Sequence, residues 1–145
     1  PHIAKRLIDA GYAKDIKEAF SLYIGDGRRC FVPSQAFSVE ETLDVIRAAG
    51  GLAVIAHPML VSRRRVLRDL LKMDFNGIEG YYACFPPEQE RPYQQQGLER
   101  GWLITGGSDY HGAVKPHIRL GASWVTQETF DRLWEHAQQH KGTQH

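Results

Sequence analysis

The stretch "GGLAVIAHP", residues 50–58, decides how the chain is read. Its central residues 52–56 are apolar without alternation. A strand with one wet face alternates apolar and polar side chains, whereas a strand covered on both faces carries an unbroken apolar run. Two glycines precede this run and Pro58 halts it, which gives it the length of a strand rather than a helix. Such a strand belongs to a parallel sheet covered by helices, an α/β fold.

The neighbouring segments follow the same alternation. Ser38 and Glu41 make a capping-box pattern for a helix carrying Val39, Leu43 and Ile46, closed by Gly50 and Gly51. Downstream, "RRRVLRDLLKM" (63–73) reads as a helix with Val66, Leu67, Leu70 and Leu71 inward. "GIEGYY" (77–82) is the next strand, followed by a polar helical stretch at 87–100 that Pro92 interrupts. "WLIT" (102–105) is a third strand and "GASWV" (121–125) a fourth, with Phe130, Leu133, Trp134 and Ala137 lining a final helix. About four strands are too few to close a barrel of eight, so the chain reads as part of a barrel or as a small open sheet.

Residues 1–37 have a different rhythm. Ile3, Leu7 and Ile8 share a helix face that Gly11 ends, and Asp15 with Glu18 starts a second helix with a stripe of Ile16, Ala19, Phe20 and Tyr23. Residues 25–37 form a loop with a short strand around 30–32. The expected division is a helical subdomain at 1–37 and an α/β part at 38–145.

Composition narrows the classes. At 145 residues, 42% hydrophobic and 24% charged, the chain has the make-up of an ordinary globular protein. A net charge of +1 gives no general affinity for nucleic acid. Cys30 and Cys84 are far apart and form no metal-binding pair, which suits a reducing, cytoplasmic setting. No apolar run reaches the ~18 residues of a membrane span. The chain opens at Pro1, already approaching a helix, as the later part of a longer protein would.

In parallel α/β sheets, sites form where strands end at their C-terminal edge. Two strand exits here carry metal-binding side chains. His57 follows "LAVIA" directly, and Asp109 and His111 follow "WLIT" after a turn containing Gly106 and Gly107. Imidazole and carboxylate together suit Zn, Mn or Fe, and a bound divalent cation would activate water for hydrolysis. The same residues also suit a hydrogen-bonded loop histidine and an Asx-type turn, so the local pattern leaves both readings open.

The order "GGLAVIAHP", "FNGIEGYY", "LITGGSDYHG…KP…LG" resembles the PHP (polymerase and histidinol phosphatase) superfamily of metal-dependent phosphoesterases. It resembles most the branch acting as nucleoside 3′,5′-bisphosphate phosphatase and 5′-3′ exoribonuclease. "PHIAKRLIDAGYAKDIKEAFSLYIGDGR…FVP" is similar to that branch's helical insertion. The resemblance implies the C-terminal part of a distorted (β/α)7 barrel, with His57, Asp109 and His111 as metal ligands. It implies a role near the substrate phosphate for His2, and Lys115 could approach phosphate as a point charge. The expected cofactor is a divalent metal, Mn2+ first, with Zn2+, Fe2+ or Mg2+ open. The expected partner is a nucleotide or short oligoribonucleotide, with no membrane and no stable protein partner. The family's opening "HxH" segment and its other early ligands do not occur here, which places them in an N-terminal portion outside this sequence. Two alternatives are a non-catalytic fragment with an incomplete metal site, and a metal-dependent amidohydrolase.

Other features divide between function and structure. Arg63, Arg64 and Arg65 suit phosphate contact or a solvated helix face, the solvated face being the commoner outcome. Glu79 suits either orienting a ligand histidine or a structural carboxylate. Tyr81 and Tyr82 suit base stacking or the core, and Gly106 and Gly107 suit the backbone of a turn.

Overall fold

The apolar runs pair as three parallel strands in the order β1-β2-β3: β1 (Val54–Ile55), β2 (Gly77–Tyr82) and β3 (Leu103–Gly107). This is the structure of a computed structural model that describes residues 2–33 and 37–141. Residues 34–36 of the expected loop lie outside the described residues. The chain divides into two units, Pro1–Phe37 and Ser38–His145.

In the first unit, α1 (His2–Asp9) and α2 (Ile16–Ala19) pack around Ala4, Ala13 and Ala19, with Leu7, Ile8, Ile16 and Ile24 against them. Asp15 caps α2 by accepting the Glu18 N–H at 2.7 Å. Past Ala19 the helix widens into a π turn, Phe20–Ile24, which ends where the Gly25 N–H reaches the Phe20 carbonyl. Phe20, expected in the buried stripe, is 42% exposed. No strand forms at 30–32: the chain turns there, with Phe31 N–H on the Arg28 carbonyl and Cys30 N–H on the Tyr23 carbonyl.

In the second unit, α3 (Val39–Ala48) begins with a complete capping box, Ser38 and Glu41 each accepting the other's backbone N–H. β1 pairs through two residues only, Val54 with Gly77 and Ile55 with Ile78. Asn76 ties the lower end of the sheet together. Its N–H and side-chain oxygen bind the Ala53 backbone, and its carbonyl accepts the Leu103 N–H. Ile78 is fully buried at the sheet centre, with Ile55, Leu103, Leu43 and Ile118 also buried.

α4 (Arg64–Leu70) links β1 to β2 along the chain, and α5 (Pro87–Glu99) packs on β2 and β3. α5 approaches closely because Gly97 has no side chain; a Cβ there would lie 2.9 Å from Ile104 and 3.1 Å from Ile78. Pro92 does not interrupt this helix. Pro92 and Glu88, whose carbonyl loses its N–H partner, are both exposed, so water can meet the orphaned acceptor. α6 (Gln127–Lys141) closes the described chain. The fourth strand at 121–125 is absent; the segment bends, with Trp124 73% exposed. Val66, Phe130 and Trp134, expected to face inward, are 43%, 51% and 52% exposed.

Register explains how the sheet aims its side chains. Gly77, Ile78 and Glu79 pair with Leu103, Ile104 and Thr105, but the next pairs are Tyr81 with Gly106 and Tyr82 with Gly107. Gly80 is thus an extra residue, a β-bulge. Strict alternation would put Glu79 and Tyr82 on opposite faces. The bulge turns Tyr82 to the face that carries Glu79 and Thr105.

Candidate functional site

Two non-glycine residues among those described have left-handed backbone, His57 (φ 30°) and Asp109 (φ 52°). They are the residues that leave β1 and follow β3. Left-handed backbone is uncommon for residues with a Cβ, and it concentrates where a side chain must be aimed. His57 is held there by its own backbone: its N–H donates to Glu79 Oε2 at 2.6 Å. Glu79 therefore holds the histidine through its main chain. Replacing Glu79 by alanine should orphan that N–H and cost about 1–3 kcal/mol in urea unfolding. Glutamine, whose amide oxygen still accepts, should recover most of the loss.

Asp109 is the hub of the second exit. Its Oδ2 accepts from the Tyr82 hydroxyl at 2.9 Å and from Lys115 Nζ at 2.6 Å. The Lys115 ammonium holds the Asp109 carboxyl below its usual range; burial opposes this, and the bond from Tyr82 adds to it. Burial first, then the bond to Asp109, pushes the Tyr82 phenol up to about 12. It therefore remains an O–H donor at neutral pH. The Tyr82 ring also meets the His57 ring edge to face, with centroids 6.1 Å apart. Tyr82 thus joins the two strand exits.

His111 Nδ1 lies 2.6 Å from the Asp109 backbone oxygen and 3.5 Å from Asp109 Oδ1. Both oxygens only accept, so Nδ1 carries the proton and the neutral ring keeps its lone pair on Nε2. That is the tautomer a metal-binding imidazole requires. The donor types of His57, Asp109 and His111 suit a divalent cation. Among the described residues, however, no group of three or more histidine, cysteine, aspartate or glutamate side chains is gathered to hold a metal ion. The close pair is Asp109 with His111; His57 reaches it through Tyr82.

The remaining expected residues fall elsewhere. Lys115 sits on Asp109 rather than apart from it. His2 opens α1 in the first unit and is exposed. Tyr82, expected as a stacking or core residue, is buried at 3% exposed, and its hydroxyl bonds Asp109. The signal that could have found it is Gly80, a glycine inside a strand pattern, which marks a bulge and a change of face.

Histidine and aspartate thus stand at two strand exits of one parallel α/β sheet. Known proteins that resemble the chain carry the names of phosphatases, exoribonucleases and a phosphoesterase. The chain is 32% identical over 115 residues to a 3′,5′-nucleoside bisphosphate phosphatase of Chromobacterium violaceum, covering 76% of this chain and 40% of that protein. It is 39% identical over 139 residues to the 5′-3′ exoribonuclease Rnm of Salmonella typhimurium, covering 92% and 47%. The crystal structure of a proposed metal-dependent phosphoesterase from Bifidobacterium adolescentis superposes with a TM-score of 0.73 at 28% identity, covering 94% and 49%. No family model matches the chain. By sequence and by fold the chain is homologous to these PHP-family proteins, and it spans about half the length of the relatives it matches. No helix among the described residues is long and apolar enough to cross a membrane.

Proposed function

We propose that the chain supplies the C-terminal part of a (β/α)7 barrel in a metal-dependent phosphoesterase, with residues 1–37 as a helical insertion. Its substrates in this reading are nucleoside 3′,5′-bisphosphates or the 5′ ends of short RNA. The observation that carries the reading is the left-handed backbone at His57 and Asp109, at two strand exits of one parallel sheet. Names carried by the relatives support the substrate class.

His57, Asp109 and His111 would hold the divalent cation, with Mn2+ the first candidate. When bound, such an ion polarises a phosphoryl oxygen and acidifies its water to near neutrality. The chain's own residues prepare the place. Glu79 fixes the His57 backbone, and Asp109 fixes the His111 tautomer. Tyr82 holds the Asp109 carboxylate from a buried position. Lys115 supplies positive charge beside that carboxylate and would meet substrate phosphate. A phosphate contact is proposed separately for His2, in the first unit.

The deciding assay incubates the chain with Mn2+ and adenosine 3′,5′-bisphosphate and measures inorganic phosphate. Release that a chelator abolishes is the expected result. Ring opening of a cyclic amide such as hydantoin, without phosphate release, would establish the amidohydrolase alternative instead. Mn2+ binding with neither activity would establish the incomplete-site alternative. A binding measurement checks the role of Lys115. Its ammonium competes with any cation for Asp109 Oδ2, so Lys115→Met should raise Mn2+ affinity about 3- to 10-fold. An unchanged or weakened affinity would refute that competition.

A further inference from the structure

Outside the Asp109 cluster, the second unit carries a groove of about 920 Å³ between α4 and α5. Met59, Leu67 and Pro92 supply apolar surface, Arg64 and Arg68 supply charge, and half-buried Tyr93 supplies an aromatic ring. The groove starts two residues beyond His57, in the 3-10 turn Pro58–Leu60 that leads from β1 toward α4. It therefore opens from the same sheet edge as the candidate site.

The charges in this groove are uncompensated. Arg64 and Arg68 are four residues apart, on one face of α4 and about 6 Å apart along its axis. Neither makes an ion pair or side-chain hydrogen bond among the described residues. The one carboxylate of α4, Asp69, is shared by Arg65 at 3.9 Å and Lys72 at 3.4 Å. Two free guanidiniums beside an aromatic ring and an apolar floor make the pattern that tracks a single nucleic-acid strand: cations for successive phosphates, a ring for a base. The aromatic ring beside the cations favours a nucleotide strand over an acidic peptide, and a free phosphate would not need the groove's length.

We propose that this groove is a binding subsite for single-stranded RNA, taking the nucleotides that follow the reacting 5′ end. The inference rests on the phosphoesterase reading for its direction along the strand. Its substrate is accordingly an oligoribonucleotide longer than the unit cleaved, held by Arg64, Arg68 and Tyr93 at a distance from the metal-binding residues.

Fluorescence anisotropy tests this on the whole chain in chelator-containing buffer, where hydrolysis cannot intervene. The probes are 3′-fluorescein oligoadenylates with a 5′ phosphate, two and eight nucleotides long. The octamer should bind about 10-fold more tightly than the dinucleotide. In Arg64→Ala/Arg68→Ala the octamer should weaken about 10-fold, and the slope of log affinity against log salt should flatten by about 1.4, two single-strand phosphate contacts at ~0.7 each. Arg64→Lys/Arg68→Lys should keep most of the slope, which also shows that the fold survives substitution there. Equal octamer binding by the alanine variant and the unaltered chain would overturn the groove, as would an equal loss in Arg132→Ala, a remote exposed arginine. Octamer binding as described, with phosphate release absent, would overturn the phosphoesterase reading and leave the groove standing.

Discussion

Gly106→Ala is expected to lower stability by about 2–4 kcal/mol, and the midpoint of thermal unfolding by roughly 10 °C. The reason is contact with backbone rather than with movable side-chain ends. A Cβ at Gly106 would lie 2.4 Å from the Tyr81 Cβ and 2.6 Å from the Tyr81 carbonyl oxygen. Tyr81 cannot retreat, because it is the residue that pairs with Gly106 just past the bulge. Relief requires the β3 exit to separate from β2, which carries Ser108 and Asp109 away from Tyr82. Thermal unfolding followed by circular dichroism checks the size. Gly107→Ala is the comparison, since a Cβ there meets nothing within 4 Å. Similar losses in both variants would show that the tight approach at Gly106 is not what matters.

Asp109→Asn is expected to weaken Mn2+ binding by at least about 100-fold, since even residues behind metal ligands cost 10- to 100-fold when changed. The substitution separates charge from shape. Asparagine tolerates left-handed backbone, and its carbonyl oxygen still accepts from the Tyr82 hydroxyl, so the unfolding midpoint should move by only a few degrees. What is lost is the negative charge that a cation needs and that Lys115 now neutralises. Mn2+ electron paramagnetic resonance, which reports the free ion, gives the binding curve directly. Unchanged binding in Asp109→Asn would remove Asp109 from the ligand set and leave it as the anchor of Tyr82 and Lys115.

Much of the fold could be read along the chain, for local reasons. The capping box at Ser38 and Glu41 is a contact between near neighbours, and it forms as written. β2 and β3 are legible because they are short, carry aromatic or β-branched residues and lie between turn residues, a pattern that favours strands. Errors came where strand formation depends on a distant partner. Residues 121–125 have the composition of a strand, yet among the described residues no strand lies beside them to accept their hydrogen bonds. β1 shrinks to two residues although its apolar run has five, because its pairing with β2 extends no further. Pro92 misled for the opposite reason: its cost is small where the orphaned carbonyl faces water. At the site, residue types pointed to His57, Asp109 and His111, and the structure draws Asp109 and His111 into contact. Tyr82 and Lys115 as partners of Asp109 were not legible, because one depends on the bulge and the other on how the loop after β3 folds back.

The bulge at Gly80 has a bearing on how such a sheet can vary. A β-strand is a two-state counter in which every residue added or removed exchanges the faces for all that follow. Gly80 adds one count in β2 without a matching one in β3, so the strand has its tight apolar packing below and its polar contacts above, each on the required side. Removing Gly80 would restore the count that β3 keeps and leave Tyr82 on the Glu79 face. One further residue inserted after Gly80 would instead exchange the faces of all that follows, sending the Tyr82 hydroxyl toward α5 and turning Tyr81 to the face of Glu79, while leaving the composition of the strand almost unaltered.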